Sequence, residues 1–149
     1  MKLNDKVECL LQKKPREVWS VSPSSSVYEA LQLMADKNIG AVLVIAGGAL
    51  RGVLSERDYA RKVILSGKSS KDTLVEEIMR EAGVVVTPST TVDECMRHMT
   101  SGRVRHLPVV DGNVVLGIVS IGDLVNWVMS AQEDTIRELH AYVAGEYPR

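Results

Sequence analysis

Two segments of the chain, GVLSERDY at 52–59 and GIVSIGDL at 117–124, each run from a glycine through an apolar stretch to a serine and, three residues on, an aspartate. A hydroxyl both donates and accepts, and an ionised carboxylate accepts through two oxygens. Ser55 with Asp58, and Ser120 with Asp123, therefore have two open readings. Each pair can be a capping box that closes orphan backbone groups at a helix start, for about 1 kcal/mol. Each can also hold a ribose phosphate. Positions i and i+3 share a helix face, so the hydroxyl can take a phosphate or sugar oxygen while the carboxylate spans two vicinal ribose hydroxyls. The two roles are compatible. Each serine follows a β-rich run, so its helix starts at the end of a sheet, where backbone N–H groups favour an anion.

The elements that must position these pairs form a tandem repeat. At an offset of 65 residues, 21–59 aligns with 86–124 without a gap. Eleven pairs are identical, namely Val21, Pro23, Ser24, Val27, Glu29, Met34, Val44, Gly47, Gly52, Ser55 and Asp58 with their counterparts, which marks a duplication. Two copies are too few for a solenoid, so a closed two-fold arrangement is expected. In the first copy, VSP and a serine cluster start extended and turn; Val27, Ala30, Leu31 and Met34 then fall at helical spacing up to Asn38 and Gly40. Two β-rich runs around AGGA follow, matched in the second copy by runs around Asp111-Gly112, a hairpin signal. Helical periodicity returns after each serine. The order per copy is β-α-β-β-α, an α+β architecture, and a unit of roughly 50 residues buries too little surface to stand alone. The copies should share a core.

The expected division is an N-terminal helical extension over 1–15, repeat 1 over 16–68, a linker over 69–79, repeat 2 over 80–130, and a C-terminal helix and tail over 131–149. In that tail, Ile136, Leu139, Tyr142 and Val143 space out an apolar stripe suited to docking, with the helix ending at Gly145.

Composition narrows the function. With 149 residues and a net charge of −1, the chain has length for a real core but no broad basic field, which argues against a nucleic-acid partner. The longest apolar stretch, AVLVIAGGAL, falls short of the roughly 20 residues of a membrane span. The first eighteen residues mix acids with lysines and show no export or transit pattern, so the cytoplasm is the expected compartment. Cys9 and Cys95 make no disulfide framework, and Cys95 sits at an apolar helix position as a small core residue. His98, His106 and His140 are not at metal spacing, and no nucleophile or phosphate-loop motif is present, so no enzyme is expected. Trp19 and Trp127 fit core packing, a cleft wall or an interface.

The two glycine-to-aspartate segments, the RVRHLPVVD that precedes the second, and the β-α-β-β-α order together resemble the tandem cystathionine-β-synthase (CBS) domain pair, or Bateman module, over nearly the whole chain. The resemblance implies two repeats packed sheet to sheet about a pseudo-two-fold axis, leaving two clefts that bind adenine nucleotides. The first cleft would use Ser55, Arg57 and Asp58, with Val85 to Thr87 and Val104, Arg105, His106 and Pro108 opposite. The second would use Ser120, Gly122 and Asp123, with Ser20 to Ser22 and Ile39, Gly40 and Ala41 opposite. Arg57, Arg105 and His106 suit phosphate and weight the expectation toward the Asp58 cleft. Leu43 stands where the second repeat has Pro108, a departure from the family pattern in the second cleft. The implied ligand is AMP first, with ADP, ATP, NAD(H) or S-adenosylmethionine as the others. The implied protein is a homodimeric regulatory module acting in trans on a target the sequence does not name. The alternative is a dimeric interaction scaffold whose serine and aspartate pairs are only caps. A redox or metal enzyme using Cys9 or Cys95 has the least support.

Overall fold

In a computed structural model describing residues 2–13 and 17–143, the duplication is visible at the level of single hydrogen bonds. A 3-10 turn at Lys2–Asn4 leads to α1 (Val7–Lys13). The first repeat follows as β1 (Ser20–Val21), α2 (Val27–Lys37), β2 (Ala41–Ala46), β3 (Ala49–Ser55) and α3 (Glu56–Tyr59), which continues as a π-helical turn over Ala60–Ile64. Then come α4 (Val75–Ile78) and β4 (Arg80–Glu81), and the second repeat as α5 (Val92–Gly102), β5 (His106–Asp111), β6 (Val114–Ser120) and α6 (Ile121–Val143). The predicted stop at Gly145 and the side chains of Tyr142 and Val143 lie outside the described residues.

Both crossover helices begin and end alike. Ser26 caps α2 by accepting from the Glu29 N–H, and Thr91 caps α5 by accepting from Glu94. Both stop at a left-handed residue, Asn38 and Arg103, each at φ 53°. Asparagine tolerates that conformation readily, so the first stop is written in the sequence and the second is not.

The first sheet runs β1-β2-β3-β4, with β1 parallel to β2 and the other pairs antiparallel. The second sheet is the β5-β6 hairpin, extended by a single parallel bridge from Val86 to Val109 where repeat 1 has a strand. The hairpins slip register at matching places, Val44/Ile45 and Val109/Val110. Gly47 and Gly48 both take positive φ in the first turn, as a tight primed hairpin turn demands. β3 and β6 pack against each other and join the repeats.

The segments preceding each repeat are exchanged. The N–H groups of Val7 and Glu8 donate to Thr90 and Pro88, and Asp5 accepts from Val92, so the N-terminal arm is tied to repeat 2. Identically, Val75 and Glu76 donate to Ser25 and Pro23, and Thr73 accepts from Val27, tying the linker to repeat 1. The side chains follow the backbone. Val7 and Leu10 fill a core with Val92, Cys95, Met99, Leu107, Val109, Val119 and Leu124. Val75 and Ile78 fill the other with Val27, Ala30, Met34, Val42, Val44, Leu54 and Val63. Trp127 seals the first exchange by donating its indole N–H to Asp5 at 2.9 Å. Each repeat thus borrows part of its core from sequence outside it, which answers the shortage of buried surface in a 50-residue unit.

Candidate functional site

The Ser55–Asp58 corner is a complete capping box. The Ser55 N–H donates to Asp58 Oδ2 at 3.0 Å, the Ser55 hydroxyl donates to the same oxygen at 2.8 Å, and the Asp58 N–H donates back to Ser55 Oγ at 3.2 Å. Both residues are buried. The other carboxylate oxygen, Oδ1, accepts from Arg80 Nε at 3.0 Å, and the Lys62 ammonium lies 3.9 Å away. Lys62 also donates to the Ile78 carbonyl at 3.0 Å. A buried carboxylate held this way is fully compensated, whereas an unpaired one costs several kcal/mol.

Ser120 and Asp123 repeat the box at half-buried positions. The Ser120 N–H donates to Asp123 Oδ2 at 2.8 Å, and the Asp123 N–H donates to Ser120 Oγ at 3.1 Å. Asp123 borders a small cavity of about 260 Å³ with Leu10, Lys13, Asn126, Trp127 and Ser130.

A cavity of about 850 Å³ is lined by residues of both repeats. Repeat 1 contributes Trp19, Ile39, Ala41 and Leu43; repeat 2 contributes Pro88 and 115–118 of β6; α1 contributes Glu8, Leu11 and Gln12. Its walls are mainly apolar, with Glu17, Asp36 and Lys37 among the lining residues. The volume falls within the roughly 300–1,000 Å³ of small-molecule pockets.

The residues expected in the first cleft are partly brought together. Ser55 and Asp58 meet, and Arg57 and Arg105 are both exposed. Val85 is exposed; the Thr87 N–H closes a turn on Thr90 Oγ1; Val104 packs on the second repeat's core; Pro108 is buried in β5. His106 is half-buried at the start of β5. A Cβ at Gly40 would sit 3.8 Å from its Nε2 and 3.4 Å from Glu56 Oε1, so Gly40, expected in the second cleft, lies beside the histidine expected in the first. Among the second set, Ile39 and Ala41 line the large cavity, Asp123 borders the small one, and Ser20 and Gly122 are exposed. Ser22 is engaged in a turn with Ser24.

Four participants were not among the expected site residues. Arg80 and Lys62 reach Asp58 from outside the Ser-x-x-Asp pattern, 22 and four residues away, and Leu11 with Gln12 reaches the cavity from an arm expected to be a mere extension. The signal for the arm was available: the spacing Val7, Leu10 against Val75, Ile78 repeats at an offset of 68, three more than the main repeat.

Among the described residues no group of His, Cys, Asp and Glu is placed to hold a metal ion, and no helix is long and apolar enough to cross a membrane. Burial, with the Glu94 charge adding to it, pushes the Cys95 thiol up to about 11, so it stays a neutral core group near neutrality.

The fold is thus a duplicated α+β unit whose preceding arms are exchanged between the two copies. The CBS domain family model matches residues 14–64 and 75–130, and the chain belongs to that family. It is 42% identical over 127 residues to a mitochondrial CBS domain-containing protein of Arabidopsis thaliana, covering 82% of this chain and 62% of that relative's length. It is 36% identical over 108 residues to the CBS domain-containing protein YhcV of Bacillus subtilis, covering 72% of this chain and 76% of YhcV. Among solved structures, a signal-transduction protein with CBS domains from Burkholderia ambifaria shares 49% identity at a TM-score of 0.82, covering 85% of this chain and 96% of that one. A hexameric CBS-CP12 protein from bloom-forming cyanobacteria shares 25% identity at a TM-score of 0.73, covering 92% of this chain and 83% of that one. These relatives place the chain among CBS-domain regulatory and signal-transduction proteins.

Proposed function

We propose that the chain is a sensor in which an adenine nucleotide, AMP first and ADP, ATP, NAD(H) or S-adenosylmethionine as the others, occupies the clefts between the repeats. The observation that supports this reading is the cavity of about 850 Å³ lined by both repeats and by α1. A ligand there touches two units and the arm that ties them, so its binding free energy differs between arrangements of those units. That differential affinity is what a regulatory ligand must have to shift an equilibrium. Acting in trans on a target protein from the cytoplasm follows from the same reading.

Thermal shift and calorimetry with the five ligands test it. Binding raises the melting temperature as ligand passes its dissociation constant. Asp58→Ala and Asp123→Ala separate the clefts, and a wild-type protein that binds none of the five sinks the proposal.

A second reading, the homodimeric scaffold, is favoured by α6. Ile121, Val125, Met129, Ile136 and Leu139 are all exposed along it, spaced at one or two helical turns. Such a stripe, once paired, gives an apolar interface between copies. Light scattering of Val125→Glu against wild type checks this: the substituted chain is expected to be a monomer where wild type is a dimer.

A further inference from the structure

Arg80 has no task in the nucleotide reading as so far stated, yet it holds Asp58, the buried carboxylate expected to take the ribose in the first cleft. Its backbone is fixed. It lies in β4 opposite Val53, and a Cβ at Gly52 would strike its carbonyl, so the strand is seated directly on that glycine. Its side chain is 40% exposed, while the Asp58 side chain it meets is 6% exposed.

Three donors already bond the Asp58 carboxylate, and a fourth cation lies beside it. Oδ2 takes the Ser55 N–H and hydroxyl, and Oδ1 takes Arg80 with Lys62 close by. A carboxylate presents about four lone-pair sites, so two ribose hydroxyls cannot be added without losing a donor. The Ser55 donors belong to the same turn, and Lys62 keeps its bond to the Ile78 carbonyl. Arg80 comes from a different segment and can leave by a side-chain rotation alone.

We propose that Arg80 is a latch and a phosphate reader: a ribose entering at Asp58 displaces the guanidinium, which then pairs with the ligand's phosphate. Guanidinium matches phosphate by two parallel charge-assisted bonds, so the exchange is favourable for a nucleotide and unfavourable for an uncharged nucleoside. This inference rests on the nucleotide reading of the Asp58 cleft. It also distinguishes the clefts. The exchanged arms align at an offset of 68, which makes Gln12 the counterpart of Arg80, and Gln12 lines the open cavity. An amide there neither locks a carboxylate by charge nor selects phosphate.

The test is calorimetry of the full chain carrying Asp123→Asn, which isolates the Asp58 cleft, titrated with AMP and with adenosine. AMP is expected to bind more tightly than adenosine. Arg80→Gln is expected to tighten adenosine about tenfold and weaken AMP by a similar factor, collapsing the preference. Arg80→Lys keeps the charge but not the fork, and is expected to cut the preference about threefold, which serves if the glutamine variant does not fold. Equal shifts for both ligands, or an unchanged preference in either variant, overturn the latch. If AMP binds wild type but not the Asp123→Asn chain, the latch is overturned and the nucleotide reading survives in the other cleft. If no ligand binds wild type, the nucleotide reading itself falls.

Discussion

The Asp58 and Asp123 corners share one motif and one pattern of capping bonds, yet the Asp58 carboxylate is buried and paired with Arg80 while Asp123 is half-buried beside a small cavity. The cause lies in the arms. After its tether to repeat 1, α4 ends at Ile78; Met79 turns to extended backbone at ψ 153°, and Arg80–Glu81 zips onto Gly52 and Val53 of β3. After the matching tether to repeat 2, α1 continues in helix to Lys13, and the corresponding edge, Gly117 and Ile118 of β6, lines the cavity instead. A helix that runs one turn longer leaves its cleft open. Identical motif residues therefore set the chemistry of each corner, while the sequence outside the motif sets how far it is closed.

The largest expected effect breaks the exchange itself. Leu10→Ala and Ile78→Ala each remove a nearly buried side chain from the core of the repeat they do not belong to. Each is expected to cost about 2–5 kcal/mol in urea unfolding. If either cost less than 1 kcal/mol, its arm would be an appendage and not a part of the core. Gly52→Ala comes next. It forces β4 away from β3 at the Arg80 carbonyl, an overpacking expected to cost about 1–3 kcal/mol. It should also open the Asp58 cleft toward the form of its partner, read as faster amide hydrogen exchange at Arg80 and Glu81.

A third prediction uses pH. Cys95 occupies the place that Ala30 holds in repeat 1, and both are fully buried. The thiol is pushed up to about 11 from its usual 9.0, so the unfolded chain loses this proton before the folded one does. The neutral thiol's contribution is whole below pH 9 and is lost as pH rises from 9 toward 11. The loss is expected to reach about 2 kcal/mol. Unfolding free energies of wild type and Cys95→Ala across that range check it: the wild-type slope should be the steeper, and parallel slopes would remove the effect.

Much of this was legible beforehand because duplication doubles every signal. The hairpin glycines and the apolar helix faces recur at one offset, so each supports the other. What escaped was what breaks the symmetry. Arg80 is 22 residues from Asp58 on a two-residue strand, too short to carry any period, and it pairs with β3 only because Gly52 has no side chain. The gathering of Arg57 with Arg105 and His106 in the Asp58 cleft was an expectation carried by the resemblance and by their charge. In the fold both arginines are exposed, and the cations beside the Asp58 carboxylate are Arg80 of β4 and Lys62.

The smallest predicted effect is also the finest measure of the difference between the corners. Ser55→Ala and Ser120→Ala each remove a cap worth about 1 kcal/mol. At Ser55 the hydroxyl also donates to a carboxylate oxygen in a buried setting, whereas Ser120 is half-buried. Bonds to a charged acceptor are the stronger ones, so Ser55→Ala is expected to exceed Ser120→Ala by about 0.5–1 kcal/mol in chemical denaturation. Saturating AMP should widen that gap if the hydroxyl also serves a ligand, because the variant then forfeits binding linkage as well as the cap. Equal losses with and without nucleotide would leave both serines as caps and nothing more, and would return the corners to the equality their sequences suggest.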